Sequence, residues 1–414
     1  MLLAGVALPV AARAQCVTDT PAVDACAGGV KITTPPGISL DLSFMTPGAL
    51  PSGVAFTRAS TGTYFDAAGV LQTATTNTPR WDYDPVTHVL RGLLIEEART
   101  NLVLNSGDAN AWTKGPSSPP TTTANQVVAP DGTTTAARVV FIALSGGGVG
   151  YLNPVSPTAT VNPYSFSVWL RGNAGGEQVY LFATPDAVTY YRVLCTLTTA
   201  WQRFTLNTPN LTAVQWFFGV GRDGRDAGQI ATPAQTLFMW GGDVEQGAFA
   251  TSYIPTTAAA ATRAIEVCQT PTGAWFNPNT LSLMMEVLPP RAASHTAGGI
   301  SDSVFNNALY FSANAAVYKI VRAGSGGGGS LGNAYAAGVV QKIAANYSAT
   351  SMRMSANGSA VDGTALTSAA LSTATRLALG NDPWSLGTAA NIYIRRVRYW
   401  PRLLSDAELQ SVTV

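Results

Sequence analysis

The chain has 414 residues, of which 11% are charged against roughly 25% in an average soluble protein, and its formal net charge is +1. That balance leaves no electrostatic footprint for nucleic acid or an anionic membrane, so charge does not drive its partnerships. Glycine, threonine, alanine and serine are plentiful while lysine and glutamate are scarce, which disfavours long solvated helices, predicts an all-β protein, and at this length allows two or three domains.

Residues 1–14, MLLAGVALPVAARA, carry an apolar run and then Ala12-Arg13-Ala14, the small-x-small pattern of a signal-peptidase site. The run is too short to span a bilayer, which predicts an exported product with no membrane insertion. No basic residue precedes it, so an ordinary apolar terminus or a start further upstream remains open. Gln15 before Cys16 argues against lipid attachment. Residues 15–36 form a linker in which Cys16 and Cys26 flank a short polar loop, and a disulfide there contributes about 2–3 kcal/mol in an oxidising compartment. Two free thiols are the alternative. No Cys-x-x-Cys occurs, and His88 and His295 stand apart in the sequence, which sets a structural zinc site aside.

Residues 37–105 read as short strands with turn punctuation. Alternation in HVLRGLLIEEARTNLVLNS puts the neighbours Glu96 and Glu97 on opposite faces, so they are not a catalytic dyad. FTRASTGTYFDAAGVLQTA followed by GLLIEEARTNLVLNS resembles a module of tailed-phage and gene-transfer-agent spike or fibre proteins. The resemblance implies a virion-type surface protein, with other fibre subunits among its partners.

Residues 106–262 hold runs of alternating residues, including YSFSVWLRG, EQVYLF and WQRFTL, separated by Gly, Pro, Asn or Asp, which is the pattern of a β-sandwich. The segment is similar to the carbohydrate-binding-module-like jelly roll that follows that module in such proteins. Phe166, Val168 and Leu170 share one strand face, and Trp169 shares the other with Ser165, Ser167 and Arg171. A tryptophan among serines on an open face is a platform for a sugar ring; a covering loop or domain would bury it instead. Tyr190 and Arg192 take the comparable polar face of a later strand. Trp216 and Cys195 read as core, and Cys268 is a conceivable partner for Cys195. Asp108, Asp131, Asp243 and Glu245 stand where jelly-roll modules often hold structural calcium, which needs six to eight converging oxygens.

Residues 263–414 repeat the architecture. Asn357-Gly358 between MRMSA and SAV is a hairpin signal. NIYIRRVRYW then ends at Pro401, and Ser405 with Glu408 forms a capping box for a short helix. This closing block resembles a laminin-G or concanavalin A-like sandwich. Ile392 and Ile394 are in one phase and Val397 and Tyr399 in the other, which predicts a β-bulge near Arg395. Arg395, Arg396 and Arg398 favour an anionic partner if exposed, and Trp384 in GNDPWSLG is a further candidate contact.

The glycine run AGSGGGGSLG matches a dinucleotide fingerprint through Gly324, Gly326 and Gly329, and a nucleophile elbow through Gly328, Ser330 and Gly332. Neither has its βαβ or α/β context, so a flexible loop is the reading. No alternating acidic run occurs in a strand of the third region, with Glu286 and Asp302 isolated. The expectation is tandem antiparallel β-sandwiches that bind cell-surface or capsular polysaccharide without catalysis, on a virion surface or as a secreted prophage-derived protein. The contacts would be Trp169, Tyr190 and Arg192, then Trp384 and the three arginines. A dispersed-acid depolymerase and a purely structural fibre component are the competitors.

Overall fold

The computed structural model describes residues 34–414, apart from 116, 145–147, 158–161, 211–215, 224–232, 315–316 and 324–329. The leader over 1–14, the Cys16 and Cys26 pair, and the fingerprint glycines Gly324, Gly326 and Gly329 lie outside the described residues.

The closing strand Ile392–Trp400 resolves its conflict of phase with the bulge its sequence predicts. Glu286 pairs with Arg396 and Val287 with Ile394, leaving Arg395 as the extra residue. Ile392, Ile394, Val397 and Tyr399 thereby all reach one core. The strand sits inside an antiparallel sheet in the order Asp362–Ala365, Ser351–Ala356, Gln341–Ser348, Thr280–Leu288, Ile392–Trp400, Leu90–Ile95, Trp81–Tyr83, and Leu40–Ser43 pairs with it as well. The facing sheet runs Ala55–Thr57, Val267–Pro271, Arg376–Leu379, His295–Ser301, Leu309–Ala313, Val317–Arg322, Ser330–Ala334. Asn357 (φ 51°) and Gly358 (φ 73°) adopt the left-handed pair expected of the Asn-Gly turn, and Ser405 with Glu408 caps the helix Asp406–Val412 reciprocally.

The division of the chain at 105 and 263 is corrected by this topology. Strands from the first segment belong to both sheets of the C-terminal sandwich, and Leu42, Phe56, Leu93 and Ile95 are part of its core. The first segment is completed by the last one, because Leu90–Ile95 finds its partner strand some 300 residues on.

The intervening sandwich has its own core, which includes Phe166, Leu181, Trp216 and Phe218. One sheet runs Gln202–Asn207, Tyr164–Gly172, Gln235–Gln246, Ala136–Phe141, Thr121–Val127, and the other Tyr191–Thr196, Gln178–Thr184, Phe217–Asp223, Val149–Asn153, Thr113–Lys114. Cys195 lies in this core and Cys268 in the C-terminal one, both as free thiols, so the two do not pair.

A buried ionic network ties the segments together. Arg80 grips Glu266 with two bonds, Nε to Oε1 at 2.8 Å and Nη2 to Oε2 at 2.6 Å, and reaches Glu96 Oε2 at 2.7 Å. Arg58 adds a 2.7 Å bond to Glu266, and Arg263 approaches Glu96 at 3.2 Å. Burial raises the Glu96 carboxyl, but the charges of Arg263 and Arg80 and the bonds from Ser252 outweigh it and hold the group well below the usual carboxylate range. Removing one partner strands the others in a low dielectric. Glu266→Gln is therefore expected to lower stability by about 3–5 kcal/mol, read from urea unfolding curves.

His295 is a second buried titratable group. Its Nε2 lies 3.0 Å from the Tyr318 hydroxyl and its Nδ1 2.9 Å from the Ala293 carbonyl. Burial, with Arg291 nearby, lowers its pKa to about 4 from the ordinary 6.5, although the Ala293 carbonyl works the other way. The fold thus holds the neutral ring. Its contribution is complete above the unfolded value of 6.5 and is lost as pH falls towards 4. Thermal unfolding midpoints followed across that window should fall less steeply in His295→Gln than in the parent chain.

Candidate functional site

The outer face of the sheet Tyr191–Thr196, Gln178–Thr184, Phe217–Asp223, Val149–Asn153 forms an aromatic groove. Alternation sends Val179, Leu181 and Ala183 into the core and Tyr180, Phe182 and Thr184 outward. The neighbouring strand, FFGVGRD, keeps Phe218 and Val220 inside and presents Phe217, Gly219 and Gly221 to the groove. The two glycines make room for rings. A Cβ on Gly219 would stand 2.3 Å from Phe182 Cζ, and one on Gly221 2.5 Å from Tyr151 Cβ. Phe182 and Phe217 stack with centroids 6.0 Å apart, and Tyr151 meets both edge-on at 5.8 and 5.3 Å.

The walls complete a groove of about 260 Å³. Tyr190 stands 6.1 Å from Phe182 on one side, and the Arg192 guanidinium lies 5.1 Å over Tyr180. Asp186 closes one rim, but its oxygens take the backbone N–H groups of Val188 and Thr189 and the Thr189 hydroxyl. Those bonds hold its carboxyl below the usual range. Burial raises the Tyr151 phenol, aided by Tyr190, so the ring remains an un-ionised donor. Flat apolar rings beside a few oriented polar groups suit a sugar ring, whose C–H face is apolar and whose edge is hydroxylated.

Tyr190 and Arg192, expected from the sequence, are in this groove. Tyr151, Tyr180, Phe182 and Phe217 were not anticipated. Their signal is period-two glycine in FFGVGRD opposite period-two aromatics in VYLF, a combination that leaves rings lying flat across a strand.

Trp169 is elsewhere, and the open-face placement is corrected. It is 4% exposed, packed against Trp240 at 5.5 Å, Tyr253 at 5.3 Å and Phe65 at 6.5 Å. Phe65 and Leu71 belong to the hairpin of Gly62–Phe65 and Leu71–Ala74, which covers that sheet face. The alternation in YSFSVWLRG holds, but both faces of the strand are buried. Trp384 lies on the C-terminal sandwich against Phe305 and Tyr310.

The arginines of the closing strand do not form an anion-binding face. Arg395 bonds Glu286 at 2.7 Å, and Arg396 and Arg398 share Asp41 at 2.7 and 3.4 Å. The expected calcium ligands do not converge either. Asp108 caps its own turn through Asn110, Asp131 bonds Thr133, and Asp243 and Glu245 are buried under the covering hairpin's side of the sheet. Among the described residues no group of three or more His, Cys, Asp or Glu forms a metal-sized cluster. Asp243 and Glu245 do alternate on one strand, as glycosidase carboxyls do. At 1% exposure each, they face packed protein, and burial pushes both carboxyls up. Trp169→Ala should therefore cost stability, about 3–5 kcal/mol by denaturant titration, and leave the groove's ligand affinity unchanged.

Residues 266–410 match the family described as the concanavalin A-like lectin/glucanases superfamily. No curated protein matches the chain. Among solved structures, the carbohydrate-binding module of a Ruminococcus gnavus intramolecular trans-sialidase is 14% identical over 33% of this chain and 83% of its own, at a TM-score of 0.29. A tandem carbohydrate-binding module of Paenibacillus barcinonensis Xyn10C is 9% identical over 72% and 96%, at 0.26, and mouse laminin α1 domains LG4-5 12% identical over 61% and 89%, at 0.25. By topology and by that family match, the chain is an all-β protein of antiparallel sandwiches, the C-terminal one concanavalin A-like.

Proposed function

We propose that this protein binds a polysaccharide through the aromatic groove of its middle sandwich, without cleaving it. The observation that carries this reading is the cluster of Tyr151, Phe182 and Phe217 laid flat over Gly219 and Gly221, with Tyr190 as a wall. Stacking on such rings supplies affinity, and hydroxyl and guanidinium groups at the rim supply orientation. The lectin-containing family matched by residues 266–410 agrees with the class. The non-catalytic reading draws on the described carboxylates at the groove, Asp186 and Asp223, of which Asp186 is committed to its own turn. The phage and gene-transfer-agent resemblance of FTRASTGTYFDAAGVLQTA and GLLIEEARTNLVLNS supports a spike or fibre role at a cell or virion surface. Weak single sites there would gain strength from multivalent display.

A glycan array and a panel of capsular polysaccharides, probed with the full chain, test the reading. Tyr190→Ala is expected to weaken binding by about tenfold, or about 1.4 kcal/mol, with thermal unfolding unchanged and no new reducing ends released. Binding that survives Tyr190→Ala and Phe217→Ala intact would place the ligand elsewhere.

A further inference from the structure

We propose that the groove selects a glycan whose rings carry carboxylates, with Arg192 as the residue that selects it; this rests on the groove being the glycan site. Arg192 is exposed on Tyr191–Thr196, directly across the ladder from Phe182. Its guanidinium lies 5.1 Å over the Tyr180 ring and 6.0 Å over that of Tyr190. Two aromatic faces therefore hold a normally flexible cation at the groove wall, which reduces the entropy lost when a ligand engages it. Guanidinium is planar, weakly hydrated and always charged, and its fork of N–H donors matches both oxygens of a carboxylate. A neutral sugar would need only a hydroxyl or amide at this position.

The disposition of negative charge agrees. Phe182 pairs with Arg192 on one side and with Gly219 on the other. Asp223 is four residues beyond Gly219 on its strand, about 13 Å along at 3.3 Å per residue, and so stands at the far end of the groove from Arg192. Asp186 turns its oxygens into its own turn, towards Val188 and Thr189. A uronate-type carboxylate thus meets a cation at one end, over an apolar floor that screens the attraction less than water does.

The test uses the full chain and three acidic polymers, polygalacturonate, alginate and hyaluronan, each beside its carboxyl-reduced counterpart, with affinity measured by calorimetry. The expectation is that at least one acidic polymer binds and that carboxyl reduction weakens it by about tenfold or more. Arg192→Gln should weaken the acidic polymer equally and add nothing on the reduced one, while Arg192→Lys, which keeps charge but not the fork, falls between. Unchanged thermal unfolding of the variants would confirm that the loss is local. Equal affinity for a polymer and its reduced form, or an Arg192→Gln chain that binds as before, would overturn the carboxylate proposal. If neutral polymers bind and depend on Tyr190 but not on Arg192, the groove reading stands and this one falls. If no polymer of either kind binds, both fall.

Discussion

The structure depends on five charged side chains that water does not reach. Arg58, Arg80, Glu96, Arg263 and Glu266 come from four stretches of chain separated by up to about 200 residues, and all are 5% exposed or less. Each is tolerable only while the others are in place, because an isolated charge in this environment has lost its hydration with nothing in return. Ser252 adds both its N–H and its hydroxyl to Glu96, so the middle sandwich is tied into the same network as the first and last segments. The network works as a register device, since its bidentate bonds between Arg80 and Glu266 admit one relative placement of the strands that carry them.

That placement decides which surfaces remain open. The chain leaving Arg58 forms the hairpin ending at Ala74, and Thr63 donates to the Tyr253 carbonyl at 2.5 Å as Leu71 bonds the Pro130 carbonyl at 2.9 Å. The hairpin thereby seals one face of the middle sandwich over Trp169, Trp240 and Tyr253. Only the other sheet is left to present its outer face, and it is there that glycines let rings lie flat. Covering one sheet and opening the other is how a sandwich with aromatic residues on both outer faces acquires a single aromatic groove in this part of the chain.

Local signals were legible wherever a local rule sufficed. The bulge at Arg395 follows from two incompatible phases in one strand that must share a core. The Asn357-Gly358 turn follows from the positive φ at both positions, and the helix cap follows from Ser405 and Glu408. Tyr190 and Arg192 were legible as members of a polar strand face. Trp169 was legible in phase but not in exposure, because alternation says which residues share a face and nothing about what lies against it. The arginines of the closing strand were misjudged for the same reason, since Asp41, one of their partners, lies about 355 positions away in sequence.

By itself, then, the sequence determined the all-β class, the strand periodicity, the turns, the bulge and the cap, all of which depend on interactions within a few residues or within one pair of strands. Tertiary structure alone decided that the first segment completes the last sandwich, that Trp169 is covered, that three arginines are neutralised, and that four unforeseen rings gather around Tyr190 and Arg192. Those outcomes rest on contacts between residues distant in the chain, for which a period-two pattern carries no partner information.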